Sequence, residues 1–271
     1  MAEVRTTDGA TLHVRSDGPP DVPALLLLNS LGTDLTSWDA LVPRWAGTRR
    51  VLRHDGRGHG RSSAPAGPYT LDRLGQDALA VLDAHAVERA DVCGVSLGGL
   101  VGLWLAVHAP TRVRRVALVD TAARIGSAEA WRTRAATVRE HGTQAVVDAV
   151  LERFFSPRFH ADAPAIVAAV GDGLRRNDAE GYAASCDALA AADLREAART
   201  VTAPCLVVVG DQDVATPPPD ARELRDRLRD GDYVELPGVG HLAHLERPEV
   251  VADLVLDFLT AERFDQETSR A

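Results

Sequence analysis

The sequence predicts an α/β fold in which a mostly parallel central sheet is flanked by helices and interrupted by one all-helical insertion. Three observations lead to this prediction. Short continuous apolar runs recur along the chain, as expected of strands that are buried on both faces. Amphipathic segments with helical periodicity separate these runs, which is the pattern of βαβ units. The alternation stops between about 121 and 200, where only helical patterns occur.

The strands and helices follow in chain order. Two alternating segments at 4–7 and 11–15, separated by Asp8-Gly9, predict an opening hairpin. The apolar runs predict central strands at 24–28, 50–53, 90–95, 113–119 and 205–209. Helical periodicity predicts helices over 71–82 and 250–259, and Pro217-Pro218-Pro219 predicts a loop before a helix that begins at Asp220. We therefore expect a core of residues 1–121 and 201–271, with a helical cap at 122–200 over the carboxyl ends of the strands, where such sheets bind ligands.

Composition excludes several classes of protein. The 271 residues are 45% hydrophobic and 25% charged, which is typical of a globular chain with one large core. The formal net charge of -9 makes nucleic acid an improbable partner. The N-terminus has no apolar signal segment, and no apolar stretch approaches the roughly 20 residues that span a bilayer, so we expect a cytoplasmic protein without membrane association. Cys93, Cys186 and Cys205 lie far apart in apolar contexts, which predicts reduced core residues.

The segment Gly94-Val95-Ser96-Leu97-Gly98 carries the strongest chemical signal. It lies directly after a predicted strand and directly before the helical stretch 100–108. A sharp strand-to-helix turn of this kind exposes a serine hydroxyl and requires small neighbours. The pattern alone is common, but in this context it favours Ser96 as a nucleophile over an ordinary turn serine.

A serine nucleophile needs a general base, and the base needs a carboxylate that fixes its tautomer. Both residue types follow in the required chain order. Gly210-Asp211-Gln212-Asp213 comes after a predicted strand, and Gly240-His241 comes after the strand-like segment 233–236. Asp211 competes with Asp213 for the acid position, and His244 competes with His241 for the base.

These motifs together resemble the α/β-hydrolase superfamily along nearly the whole chain. Asn29-Ser30-Leu31-Gly32, the segment 55–62 and the three catalytic segments occur in the family's order. The resemblance implies Asp213 as the acid, because the family places it on the third residue after the strand-ending glycine. The family's Gly-His dipeptide implies His241 as the base. It also implies an oxyanion hole formed by the backbone amides of Leu97 and Leu31, although many relatives have His-Gly where this chain has Asn29-Ser30.

The segment 55–62 combines an aspartate, two arginines and a histidine among glycines, which could suggest a phosphate or metal site. One Asp and one His on a turn do not supply a closed ligand set, so a tight turn after a strand is favoured. We expect no metal and no cofactor.

A narrower resemblance is to 3-oxoadipate enol-lactonases. It rests on the following segments: 29–35 with Trp38, 96–99 leading to Trp104-Leu105, 120–126, Trp131 with Arg134, Arg176-Asn177, Gly181-Tyr182 and 193–195. The implied substrate is an anionic lactone whose carboxylate needs a positioned cation, and the planar fork of an arginine matches a carboxylate. Arg134 is the predicted cation and Trp131 an apolar wall. The insertion holds nine other arginines, most of which are expected on the solvated surface: Arg124, Arg132, Arg139, Arg153, Arg158, Arg175, Arg176, Arg195 and Arg199.

Three other functions share parts of this pattern. A broad carboxylesterase or a cofactor-free haloperoxidase-type hydrolase would keep the triad and differ in the pocket. A dehalogenase is disfavoured because it would need Asp at the position of Ser96. A non-catalytic ligand receptor on the same fold is a further alternative, because fold and site are separate claims.

Overall fold

An eight-stranded sheet forms the centre of the molecule in the computed structural model, which describes residues 2–261. In chain order the strands are β1 Ala2–Arg5, β2 Thr11–Asp17, β3 Ala24–Leu28, β4 Arg50–His54, β5 Ala90–Val95, β6 Val113–Val119, β7 Cys205–Gly210 and β8 Gly231–Leu236. Their order across the sheet is β1-β2-β4-β3-β5-β6-β7-β8. β2 pairs antiparallel with β1 and β4, and the pairs from β4 to β8 are parallel. The predicted mostly parallel sheet is therefore confirmed.

The register of the sheet brings three loops together at its carboxyl edge. Every residue of β3, β5 and β7 is buried, because helices cover both faces of a parallel sheet. Leu28 lies beside Gly94, and Val95 lies beside Val119. The loop after β3, the turn after β5 and the loop after β6 consequently leave the sheet as neighbours.

The helices of the core are α1 Val42–Trp45, α2 Leu71–Ala84, α3 Leu97–His108, α9 Pro218–Arg227, α10 Ala243–Glu246 and α11 Pro248–Thr260. Those that the sequence predicted, α2, α3, α9 and α11, begin within three residues of the predicted positions, whereas α1 and α10 were not predicted. The helix expected from Asp220 begins two residues earlier, at Pro218. Proline fits the first turn of a helix because the amide it lacks has no partner there. α3 begins directly after Ser96 and packs against β5 and β6.

The chain between β6 and β7 contains α4 Ala128–His141, α5 Val147–Phe154, α6 Pro157–Asp162, α7 Pro164–Arg176 and α8 Ala179–Ala191. We call residues 122–200 the helical insertion. Its α4 and α8 pack against each other. The division into a core and a cap stays a prediction, and residues 1 and 262–271 of the predicted core lie outside the described residues. No helix within residues 2–261 is long and apolar enough to cross a membrane. All three cysteines are buried.

Candidate active site

Ser96 lies on a strained turn between β5 and α3. Its backbone has φ 57° and ψ -117°, a conformation that L-residues rarely adopt and that costs about 1–3 kcal/mol. Two backbone hydrogen bonds hold it: the Ser96 amide donates to the Val119 carbonyl at 3.0 Å, and the Leu100 amide donates to the Ser96 carbonyl at 3.0 Å. The Thr121 hydroxyl donates to the same carbonyl at 2.8 Å. These contacts offset the strain and fix the serine at the carboxyl edge of the sheet.

The glycines on either side of Ser96 are required by close backbone approach. A Cβ atom on Gly94 would collide with the Gly98 carbonyl, and a Cβ atom on Gly98 would collide with the Leu28 carbonyl. The predicted need for small neighbours at this turn thus has a specific cause. The turn at Ser96 packs directly on the end of β3 and the loop that follows it.

Asp213 and His241 form a buried pair. His241 Nδ1 lies 2.8 Å from Asp213 Oδ2, and both side chains are almost completely buried. Asp213 Oδ1 accepts from the amides of Ala215 and Thr216, while the Thr216 hydroxyl donates to Oδ2 at 2.7 Å. Burial alone would raise the pKa of Asp213, but His241 and the Thr216 hydrogen bonds outweigh it and hold that pKa below its ordinary value. Asp213 can therefore act as an ionised partner that orients the imidazole.

The competing residues have other contacts. Asp211 accepts from the Gly238 amide at 2.7 Å and lies exposed on the loop. The ring of His244 packs against Trp38, with the centroids 4.7 Å apart and the planes tilted by 39°. Neither of its ring nitrogens has a hydrogen-bond partner within residues 2–261. Burial and the neighbouring His241 lower the pKa of His244 to about 3. The geometry favours Asp213 and His241 over both competitors.

Asp120, at the end of β6, connects the loops that carry the acid and the base. It is fully buried and has φ 45°. Its Oδ1 accepts from the Gly210 amide at 3.0 Å, and its Oδ2 accepts from the Ala243 amide at 2.9 Å. Burial and the charge of Asp213 raise the pKa of Asp120 well above its ordinary value. The side chain fixes the end of β7 relative to the segment after His241, a role that the sequence analysis did not assign.

His59 braces the loop after β3. The Gly32 amide donates to His59 Nε2 at 3.0 Å, and His59 Nδ1 lies 2.8 Å from the Arg57 carbonyl. An amide can only donate and a carbonyl can only accept, so the proton is on Nδ1 and the ring is neutral. Burial lowers the pKa of His59, which is consistent with this state. From the insertion, Asn177 Nδ2 donates to the Gly32 carbonyl at 2.9 Å.

The polar groups of the segment 55–62 stabilise the turn. Asp55 accepts from the Leu35 amide at 2.9 Å and from the Arg61 amide at 2.8 Å. Arg57 is buried and pairs with Asp8 at 2.8 Å and with Asp77. Each of these charged groups has a structural partner, in agreement with the predicted tight turn.

The residues of the predicted oxyanion hole share a small cavity. Leu31 and Leu97 both line a space of about 50 Å³, and Leu31 also lines the larger cavity that contains Ser96. Within residues 2–261 neither amide donates a hydrogen bond to a protein group. Ser30 lines both cavities, and its buried hydroxyl has no partner in the same part of the chain. Free donors are thus present beside Ser96.

One cavity of about 140 Å³ joins the core residues to the insertion. Ser96 and His241 line it from the core, and Trp131, Arg134 and Tyr182 line it from the insertion. Phe154 also contributes, with its ring centroid 5.6 Å from that of His241. The structure therefore brings the predicted nucleophile, base and substrate-binding residues to one space, with Asp213 directly behind His241.

Arg134 and Trp131 form a stacked pair in this cavity. The Arg134 guanidinium carbon lies 4.7 Å from the centroid of the Trp131 ring, and Trp131 Nε1 donates to the Ile125 carbonyl at 2.6 Å. Arg153, one of the nine other arginines of the insertion, also lines the cavity. It precedes the buried Phe154 at the end of α5 and is exposed, so its side chain borders both the cavity and solvent. A match of α5 to the helical period would have placed this residue beside the apolar face.

Comparisons with known proteins agree with this geometry. A model of the alpha/beta hydrolase family matches residues 25–254. The chain is 39% identical over 244 residues to 3-oxoadipate enol-lactonase 2 of Acinetobacter baylyi, which covers 90% of this chain and 91% of the relative. A crystal structure of the enol-lactonase from Burkholderia xenovorans is 42% identical and has a TM-score of 0.93, covering 96% of this chain and all of that one. A hydrolase from Pseudomonas aeruginosa is 39% identical over 96% of this chain and 98% of its own, also with a TM-score of 0.93.

The predicted fold and the predicted resemblance to enol-lactonases are both confirmed by these matches, which extend through the insertion as well as the core. The chain belongs to the α/β hydrolase family.

Proposed function

We propose that this protein is a serine hydrolase that opens 3-oxoadipate enol-lactone to 3-oxoadipate, as a step in the catabolism of aromatic compounds. One observation carries the proposal: a single cavity joins Ser96 and His241 to Arg134 and Trp131 of the insertion, in a chain similar from end to end to enol-lactonases. The insertion would act as a cap that selects the substrate. A cytoplasmic location, expected from the sequence, is part of this proposal.

In the first half of the reaction, the Ser96 hydroxyl attacks the lactone carbonyl and His241 accepts its proton. Asp213 holds the ring with its Nδ1 proton toward the carboxylate and stabilises the imidazolium that forms. The oxyanion is stabilised by the amides of Leu31 and Leu97, and each such donor contributes about 3–4 kcal/mol of barrier lowering.

Collapse of the tetrahedral intermediate breaks the ring C–O bond and leaves an acyl-enzyme. The leaving group is an enolate, which is less basic than an alkoxide, and His241 returns the proton to it. In the second half, water gives a proton to His241 and attacks the acyl carbon, and the Ser96 oxygen leaves with that proton. The released enol then tautomerises to the 3-oxo acid, and no step requires a cofactor.

The proposal is tested with freshly generated enol-lactone as substrate and p-nitrophenyl acetate as a neutral ester for comparison. We expect efficient opening of the lactone, slow hydrolysis of the acetate, and no turnover of either by Ser96→Ala. Labelling by a fluorophosphonate should occur in the wild type and disappear in Ser96→Ala. Faster turnover of the acetate than of the lactone would indicate a broad carboxylesterase, and a folded protein that neither labels nor hydrolyses would indicate a ligand receptor.

A further inference from the structure

Two arginines of the insertion share the active-site cavity and have no carboxylate partner. Arg134, on α4, and Arg153, on α5, both line the space that contains Ser96 and His241. Within residues 2–261 no carboxylate oxygen lies within ion-pair distance of either guanidinium, although most other arginines of the insertion form ion pairs. Arg153 is exposed and Arg134 is half-buried, so solvent weakens their mutual repulsion, and an anion in the cavity that they both line would be attracted to both.

The surroundings of Arg153 support the same conclusion. Burial and the nearby positive charge of Arg134 lower the pKa of Arg153, whereas the negative charge of Asp213 raises it. Asp213 does not pair with Arg153, because His241, Thr216 and two backbone amides already occupy its oxygens. The mutual repulsion of the two arginines is therefore left for a ligand to relieve.

We propose that Arg134 and Arg153 bind the same carboxylate of the substrate, so that the specificity site is a pair of arginines contributed by two helices. This inference rests on the proposed function, since the lactone is the ligand that carries the carboxylate. Arg134 is held in place by its stacking on Trp131. Arg153 has no such aromatic partner within residues 2–261, so we expect the bound anion to fix its side chain. Because Arg134 lies on α4 and Arg153 lies on α5, a substrate carboxylate bound by both arginines also links these two helices across the cavity.

The experiment compares Arg153→Gln, Arg134→Gln and a control, Arg158→Gln. Arg158 belongs to the same insertion, but it is exposed and paired with Asp162 at 3.1 Å. Arg158→Gln should therefore leave KM unchanged for both the lactone and p-nitrophenyl acetate. For Arg153→Gln we expect KM for the anionic lactone to rise about tenfold, which corresponds to one charge-assisted hydrogen bond. Its kcat should change little, and its KM for p-nitrophenyl acetate should stay within about twofold of the wild type. Should Arg153→Gln fail to fold, Arg153→Met gives the same comparison, because it also removes the charge and keeps a long unbranched side chain.

A second readout does not depend on lactone turnover. Glutarate, a small dicarboxylate, should inhibit acetate hydrolysis competitively, and its inhibition constant should rise about tenfold in Arg153→Gln and in Arg134→Gln but not in Arg158→Gln. If the wild type leaves the lactone intact while this pattern of inhibition holds, the proposed function fails and the arginine pair stands. If the lactone is opened but Arg153→Gln changes neither its KM nor the inhibition by glutarate, the pair is refuted and the function stands. An equal rise of KM for lactone and acetate would also refute the pair.

Discussion

His59 offers a test of how the loop after β3 is held in position for catalysis. Its two ring nitrogens make different contacts: Nε2 accepts from the Gly32 amide, and Nδ1 donates to the Arg57 carbonyl. Two substitutions separate these contacts, because the amide of Gln reaches the position of Nε2 and the amide of Asn reaches the position of Nδ1. His59→Gln can keep an acceptor for Gly32, and His59→Asn can keep a donor for Arg57.

The expected loss of activity in His59→Asn follows from the buried amide of Gly32. In His59→Asn the Gly32 amide loses its acceptor, which costs about 1–3 kcal/mol in a buried position. The loop can avoid this cost only by moving, and the amide of Leu31, one residue away, moves with it. If the same free energy is lost from stabilisation of the oxyanion, kcat falls by about five- to 150-fold. The largest fall in kcat expected by this route is that for complete loss of one oxyanion-hole donor, about 10²–10³-fold.

Steady-state kinetics on the lactone and on p-nitrophenyl acetate measure both variants. We expect His59→Asn to lower kcat for both substrates to a similar degree, since the oxyanion forms with either one, and His59→Gln to retain most of the activity. Thermal unfolding should show whether the two variants fold equally well. Equal activity of the two variants, or greater damage in His59→Gln, would refute the argument that the acceptor for Gly32 positions the oxyanion hole.

Four further outcomes are expected. Asp213→Asn should lower kcat by about 10⁴-fold in steady-state assays, because an amide facing Nδ1 forces the wrong tautomer of His241; a tenfold effect would contradict this role. Asp120→Asn should leave one of two buried amides without an acceptor and lower kcat about tenfold with KM nearly constant; an unchanged kcat would contradict it. Gly98→Ala should lower the melting temperature and abolish activity, since its Cβ would collide with the backbone at the end of β3 and in the loop that follows. Gly102→Ala, whose Cβ would meet only side chains, should lower the melting temperature and the activity less. His244 has a pKa lowered from 6.5 to about 3, so the unfolded chain binds a proton that the folded chain does not, and stability is lost as pH falls below about 6.5. His244→Phe should reduce this slope by about 1.4 kcal/mol per pH unit in urea unfolding.

The sequence predicted the parts of this fold that depend on local pattern. Apolar runs located β3, β5 and β6 to the residue, although only β3 is uninterrupted: β5 contains Asp91, and β6 contains Arg114 and Arg115. The turn at Ser96 was predictable because its constraint lies in the small neighbouring residues. The first residue of α9 was harder to predict, because prolines fit both a loop and the first turn of a helix.

Contacts between distant segments were not predictable. Asp120 directly follows the predicted strand 113–119, and nothing in its sequence neighbourhood shows that its oxygens accept from the amides of Gly210 and Ala243. The contact of His59 with Gly32 depends on how two loops pack at the sheet edge. The helical period of α5 places Arg153 beside the apolar face of that helix, but its contact with the cavity depends on how α5 packs over the core.

The insertion is joined by hydrogen bonds to two loops that we propose to be catalytic. Asn177 donates to the Gly32 carbonyl in the loop after β3, and the Leu242 amide, next to His241, donates to the Phe154 carbonyl. A chimera that carries the insertion of a different hydrolase would lose these contacts unless the grafted segment supplied equivalents. Exchange of this segment as an independent module should therefore reduce turnover of every ester, not only of the lactone. A change of specificity in this chain is more accessible through single substitutions within the cavity than through replacement of the insertion.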